Sequence, residues 1–357
     1  MRALLSSVGT RGDVQPVVAL ALEVRALGHV ARLCVPPNFV AWVRGLGFEA
    51  FSVGVEMRHT PGAPKPIPDL VRDQFDAVGA AAEGCDVILG ANAHQYAARS
   101  IAELRGVPYV TALYAPVQDW AASSRAWNER ALERVNQNRA RLGLAAIDDA
   151  FRYNVTDHAW LAADAALAPS PPDVFQTGAW VLGDAAPLPR ELEAFLDAGP
   201  PPVYAGFGSM PVREGVARAV VDAARAVSRR LILSRGWADL QLMEGASDCI
   251  AVGDVSHQAL FPRVAVAVHH GGAGTTAAAA RAGVPQVVAP MFSDQFYWAS
   301  RVRALGLGAS AQPLSTETLA AALREALDPA VAARARSFTS ELRADGARVA
   351  ALALSDR

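Results

Sequence analysis

The sequence is poor in several things, and each scarcity narrows what it does. Cysteine occurs three times in 357 residues, at Cys34, Cys85 and Cys249, far apart and odd in number. That pattern supports neither a disulfide framework nor a CxxC metal site, and buried free thiols are expected. Lysine occurs once, as Lys65, and arginine supplies the rest of the 33 basic residues against 35 acidic ones, for a net charge of −2. A chain so balanced has no large positive field, which argues against a nucleic-acid backbone or an anionic membrane as main partner. No apolar run approaches a membrane span, and Met1 to Val8 is too short for a signal-peptide core. A cytoplasmic location is expected.

Apolar residues, by contrast, are plentiful. They make up 52% of the chain against 19% charged, so there is ample material for a compact fold, and the length favours two α/β lobes with separate cores. The first half reads as strand (Ala3 to Leu5), glycine loop (Gly9 to Asp13), then a helix from about Pro16 to Leu27 closed by Gly28. Val30 to Val35 is a second strand and Phe39 to Leu46 a second helix; Asp86 to Leu89 and Val107 to Leu113 are further buried strands. Two segments interrupt this alternation. Gly54 to Pro68 is expected as a surface loop, and about Ala122 to Leu142 as an irregular helix near a cleft mouth.

The stretch 184–202, with prolines around a short helix, is the candidate linker between a first domain, 1–183, and a second, 203–335. The second half restarts the alternation with strands at Val203 to Phe207, Leu231 to Ser234, Ile250 to Val252, Val264 to Val268 and Val284 to Ala289. The fold class is therefore α/β, two Rossmann-like doubly wound lobes. Residues 336–357 are expected to form a helix that crosses back to the first lobe.

The strongest chemical signal is His269-His270-Gly271-Gly272-Ala273-Gly274-Thr275-Thr276, between an apolar strand and a helical run. A glycine turn at a helix N-terminus points free N–H groups and the positive dipole end at an anion, and phosphate is the natural guest. His270 adds a side-chain donor. The bland reading is that these glycines only allow close packing. Asp294 and Gln295 follow the next strand and suit a hydroxyl-rich ligand, although Asp294 equally fits the N-cap of the helix that follows. Asp13 has two readings as well: cap of the Val14 to Leu27 helix, or a carboxylate aimed into a crevice as general base. The two are compatible.

Six segments occur in one order: Gly9-x-Arg11-Gly12-Asp13, Gly206-Phe207-Gly208-Ser209, Ser234-Arg235-Gly236-Trp237, Gly253-Asp254-Val255-Ser256-His257-Gln258, the HHGGAGTT run and Asp294-Gln295. In that order the chain resembles bacterial family-1 glycosyltransferases, especially those that decorate vancomycin-type glycopeptide aglycones, over nearly its whole length. The resemblance implies a GT-B fold with two lobes facing across a cleft. It also implies inverting transfer of a hexose or deoxyhexose from a UDP- or dTDP-sugar to a hydroxyl of a natural-product aglycone, in antibiotic biosynthesis.

By the same resemblance Asp13 is the base, and Asp294 and Gln295 hold the donor sugar. Ser209, His270, Gly272, Gly274 and Thr275 hold the diphosphate; Arg235, Trp237 and Val255 border the nucleoside. No Asp-x-Asp motif occurs, so no metal is expected, and the nucleotide sugar is a co-substrate rather than a cofactor. A monomer is expected. His257, behind Ser256 as N-cap, has a structural reading. Relatives carry longer first-lobe loops, including an insertion after the strand ending near Tyr114, so acceptor identity is not inherited.

Three other readings compete. Gly272-x-Gly274-x-x-Ala277, with Asp294 twenty residues past Gly274, also fits the dinucleotide fingerprint of a nicotinamide-dependent oxidoreductase. A GT-B nucleotide-sugar epimerase and an inactive partner subunit are the other two.

Overall fold

The computed structural model describes residues 1–56, 70–92, 94–156, 158–184, 186–242 and 247–357. The chain divides into two compact units. The first comprises Met1–Ala165, Pro169–Leu182 and Arg343–Arg357, and the second Ala166–Ala168 and Gly183–Leu342.

The first unit is built on β1 (Arg2–Ser7), β2 (Val30–Val35), β3 (Glu49–Ser52), β4 (Val87–Ala91), β5 (Tyr109–Leu113) and β6 (Trp160–Leu161), all parallel, in the order β3-β2-β1-β4-β5-β6. Helices cover both faces, so the middle of the sheet is apolar; Leu5 sits between Leu33 and Leu89 with all three fully buried. The second unit repeats the plan with β7 (Val203–Gly206), β8 (Leu231–Ser234), β9 (Cys249–Val252), β10 (Val266–His269), β11 (Gln286–Val288) and β12 (Gly308–Ser310), again parallel, in the order β12-β11-β10-β7-β8-β9. In each sheet the order reverses between its first and fourth strands, β1 beside β4 and β7 beside β10. Doubly wound sheets open a crevice at the carboxyl ends of their strands at such a reversal.

The helix after β1 runs Arg11–Ala26 and buries Val14, Val17, Val18, Leu20, Ala21 and Val24. Against it packs the last helix, Gly346–Ser355, through Ala347, Ala350, Ala351 and Leu354. An ion pair between Arg348 and Glu23 (3.6 Å) and a hydrogen bond from the Arg343 N–H to Asp164 (3.0 Å) accompany that packing.

Several elements differ from expectation. The first helix starts five residues before Pro16, with Thr10 as N-cap, so Asp13 is the third helical residue and not the cap. Pro16 lies inside the helix and costs only one backbone hydrogen bond, to the Gly12 carbonyl. Strands β3, β6 and β12, of four, two and three residues, were not anticipated; edge strands are too short to show a period. The stretch 184–202 does hold the expected short helix, Arg190–Asp197, but its Leu192 and Leu196 pack on Tyr204, Leu260 and Phe261 in the second unit's core. The irregular helix is Trp120–Trp127 and Glu133–Arg141 joined by one π-helical turn, Asn128–Leu132. The loop expected over Gly54 to Pro68 lies, from residue 57 on, outside the described residues.

Candidate active site

In the first unit the carboxyl ends of β1 and β4 bring together groups distant in sequence. Asp13, half-buried, stands one turn into its helix. Its Oδ2 accepts the Thr10 backbone N–H (2.7 Å) and the Thr10 hydroxyl (3.2 Å), and its Oδ1 accepts the side-chain N–H of Asn92 from the end of β4. Its backbone carbonyl accepts hydroxyls from Ser7 and Tyr114, both at 2.9 Å. Burial raises the pKa of the Asp13 carboxyl, against the opposing pull of Asn92, Thr10 and the nearby His94. A carboxylate whose proton affinity is raised while its orientation is fixed is a better base than an exposed one.

His94 stacks parallel to Trp127, ring centroids 6.4 Å apart, with Nδ1 3.2 Å from the Tyr96 hydroxyl; burial lowers its pKa. Asn92, His94, Ser7 and Tyr114 escaped the sequence reading. The signal was present, since polar residues directly follow the buried strand Val87–Ala91, where ligands of doubly wound sheets bind.

In the second unit the carboxyl ends of β7 and β10 meet in the same way. The ring of His270 lies between Gly208 and Gly272. A Cβ on Gly208 would stand 3.2 Å from its Cε1, and one on Gly272 2.6 Å from its Nε2. Gly208 also takes the segment after β8 at close range: its carbonyl accepts the Trp237 N–H at 2.9 Å, and a Cβ on Gly236 would come within 2.5 Å of it. Ser209, His270, Trp237 and the glycine turn thus share one corner.

The helix Ala273–Arg281 begins there with Gly272 as N-cap and no side chain capping it. The first N–H groups of a helix, here those of Ala273, Gly274 and Thr275, lack intrahelical acceptors, and the dipole adds positive potential. His270 Nδ1 is buried without a hydrogen-bond partner among the described residues. Burial and the neighbouring His257 push its pKa down to about 4, so the ring is neutral at pH 7. In that state the ring can donate a hydrogen bond but carries no positive charge.

The sequence reading gave His269 no role apart from the run that it opens. Fully buried, it accepts the Gly271 N–H on Nδ1 (3.1 Å) and approaches Gln286 Oε1 with Nε2 (2.9 Å), which puts its proton on Nε2. Desolvation pushes its pKa down to about 3. It braces the glycine turn from beneath.

Asp294 occupies the N-cap position of the helix Gln295–Ala304 but makes no capping hydrogen bond; its Oδ2 accepts the Trp298 indole N–H at 3.3 Å. Gln295 is buried. Its Oε1 accepts the N–H groups of Met291 (2.8 Å) and Phe292 (3.3 Å), and its Nε2 faces the Met210 sulfur at 3.2 Å. A thioether is a weak acceptor that a ligand hydroxyl readily replaces. Arg235 and Val255 line a cavity of about 210 Å³ with Leu192, Ile250 and Asp254. Ser256 caps the short helix His257–Leu260, and His257 stacks on Phe261 (centroids 4.3 Å apart) with Nε2 3.1 Å from the Tyr204 hydroxyl, in keeping with a structural role.

Residues 3–118 match the family model of the glycosyltransferase family 28 N-terminal domain, and residues 218–350 that of the erythromycin biosynthesis protein CIII-like C-terminal domain. The chain is 43% identical to the vancomycin aglycone glucosyltransferase of Amycolatopsis orientalis over 396 aligned positions, covering all of this chain and 97% of that one. It belongs to the vancomycin-type glycosyltransferases.

This glycosyltransferase is also 42% identical to the dTDP-epi-vancosaminyltransferase of Amycolatopsis orientalis, over 94% of its own length and 92% of the relative's. Its fold is that of the kitacinnamycin glycosyltransferase structure, with a TM-score of 0.77 at 23% identity over 99% of this chain and 98% of that one. The lobes are those of a GT-B enzyme. The 396 aligned positions exceed the 357 residues here, so the aglycone glucosyltransferase carries internal residues that this enzyme lacks.

The oxidoreductase, epimerase and inactive-subunit readings find no support among the relatives. The glycine turn of Gly272 and Gly274 follows β10, the fourth strand of its sheet in chain order, whereas the dinucleotide fingerprint follows a first strand.

Proposed function

We propose that this glycosyltransferase moves a hexose or deoxyhexose from a UDP- or dTDP-sugar to a hydroxyl of a natural-product aglycone, with inversion and without a metal ion, acting as a cytoplasmic monomer in antibiotic biosynthesis. The observation that carries the donor half is the corner of the second unit, where a buried, unpartnered imidazole nitrogen lies beside an uncapped helix N-terminus. A diphosphate satisfies both. The names of the relatives support a dTDP-linked sugar and a glycopeptide aglycone as the first donor and acceptor to try.

In the proposed reaction the Asp13 carboxylate takes the proton of the acceptor hydroxyl as that oxygen forms its bond to the anomeric carbon. The bond from the anomeric carbon to the diphosphate oxygen breaks, and the electron pair leaves on the diphosphate. The N–H groups of Ala273, Gly274 and Thr275, the Ser209 and Thr275 hydroxyls and the His270 ring stabilise that charge. Asp294 and the Gln295 amide hold sugar hydroxyls, the amide exchanging the Met210 sulfur for one of them. Arg235, Trp237 and Val255 border the nucleoside.

Thermal melting with UDP, dTDP and NAD in parallel tests the donor half, because a ligand that binds only the folded state raises the melting temperature. A rise with UDP or dTDP alone is expected; a rise with NAD alone would overturn the reading. Asp13→Asn is expected to abolish transfer with nucleotide affinity unchanged, and near-normal turnover would remove Asp13 as the base.

A further inference from the structure

We propose that Asn92 is a positioning residue of the transfer reaction, holding Oδ1 of Asp13 so that the remaining lone pair on that oxygen meets the acceptor hydroxyl. The inference rests on the reading of Asp13 as the base.

An ionised carboxylate offers about four lone-pair positions. Among the described residues three are taken: two on Oδ2 by the Thr10 backbone N–H and hydroxyl, and one on Oδ1 by Asn92. Thr10 precedes the helix that carries Asp13, so those two hydrogen bonds come with the helix itself. Asn92 arrives from another strand, 79 residues on, and fixes the plane of the carboxylate about its last rotatable bond. Oδ1 is then the atom with a vacant basic position, and its direction is set by Asn92.

The backbone of Asn92 points the same way. Its φ is 62°, left-handed for a non-glycine residue, with the N–H held by the Ala112 carbonyl at 2.6 Å; His94, two residues on, has φ 69°. Strained backbone that persists where a ligand binds is a mark of function. Asparagine, aspartate and glycine tolerate this conformation best. Glycine brings no donor, and aspartate would set a second carboxylate against Asp13. Asparagine alone of the three meets both demands.

The titratable groups that face Asp13 are His94, from the same loop as Asn92, and Tyr114, at the end of β5; Arg130 acts on His94. All three stay unchanged in the test. Asn92→Gly keeps the backbone at ease and removes only the side chain, while Asn92→Asp keeps the shape and reverses the interaction. Both are compared with the unsubstituted enzyme by kcat and kcat/KM against pH, with KM for the nucleotide sugar.

In Asn92→Gly a donor to the anionic base is lost, so the acidic limb of the profile is expected to move up by about one pH unit and kcat to fall about tenfold. Asn92→Asp is expected to lose more at pH 7 and to recover as pH rises, since two adjacent carboxylates share a proton. KM for the nucleotide sugar stays constant in both. A folded Asn92→Gly enzyme with unchanged kcat and an unmoved acidic limb overturns the inference while Asp13→Asn remains inactive. An active Asp13→Asn enzyme overturns the reading beneath it instead.

Discussion

Acid should unfold the second unit from beneath its glycine turn, and His269 sets the size of the effect. The folded state keeps this imidazole neutral down to a pKa of about 3, while the unfolded chain takes up its proton near pH 6.5. Its contribution is therefore fully present above pH 6.5 and is lost as pH falls from there towards 3. Over the whole window the loss approaches 5 kcal/mol; between pH 7.5 and 5.0 it is about 2 kcal/mol. His270, pushed down to about 4, adds a loss of the same sign and of about 2 kcal/mol by pH 5.0. Asp13 works the other way, since a raised carboxyl pKa favours the folded state as pH falls, but it is common to every protein compared.

The assay is thermal melting at pH 7.5 and 5.0 for the unsubstituted enzyme and for His269→Gln. At roughly 2–4 °C per kcal/mol for a unit of this size, the unsubstituted protein should lose about 8–16 °C and the variant about half of that. The variant starts from a lower melting temperature because the brace under Gly271 is weakened. Only the difference between the two pH-dependent drops is diagnostic. An equal drop in both proteins refutes the argument that His269 is folded neutral.

The glycines of the turn can be sorted by substitution. Gly271→Ala puts a Cβ 2.7 Å from Val288 Cγ1 and 3.0 Å from the Gln295 carbonyl at a φ of 91°, which costs about 2–5 kcal/mol and should lower both melting temperature and nucleotide affinity. Gly274→Ala meets nothing within 4 Å, so the melting temperature should hold while nucleotide affinity, measured by calorimetry, falls; unchanged affinity would take Gly274 out of the diphosphate site. Transfer assayed in excess EDTA should proceed at the rate seen without it, and loss of turnover restored by Mg²⁺ would overturn the metal-free reading.

Strands in which apolar residues dominate between turn signals were legible, and Val30–Val35 and Leu231–Ser234 match the sequence reading residue for residue. The glycine-histidine run was legible because a turn at a helix start has few ways to be written. What stayed hidden was carried by side-chain contacts without a period. The hydrogen bond from Asn92 to Asp13 joins positions 79 apart, and the sequence reading set His269 beside His270 in the glycine run without showing that it supports the turn from within the core. The early start of the Arg11–Ala26 helix was masked by Pro16, whose missing N–H looks like a beginning when it is an interior cost.

The packing of Gly346–Ser355 on the helix that bears Asp13 has a consequence for how the protein is made. The first 165 residues leave the ribosome before most of the second unit, yet the apolar side of Arg11–Ala26 waits for a partner from residues 343–357, which follow that unit in the chain. Until residues 343–357 are made, the first unit is incomplete while the second, continuous from Gly183 to Leu342 apart from three residues, already has its own sheet in hand. A chain cut before Arg343 would carry a finished second unit tethered to an unfinished first one, so the helix that bears Asp13 is fully packed only after the second unit has been made.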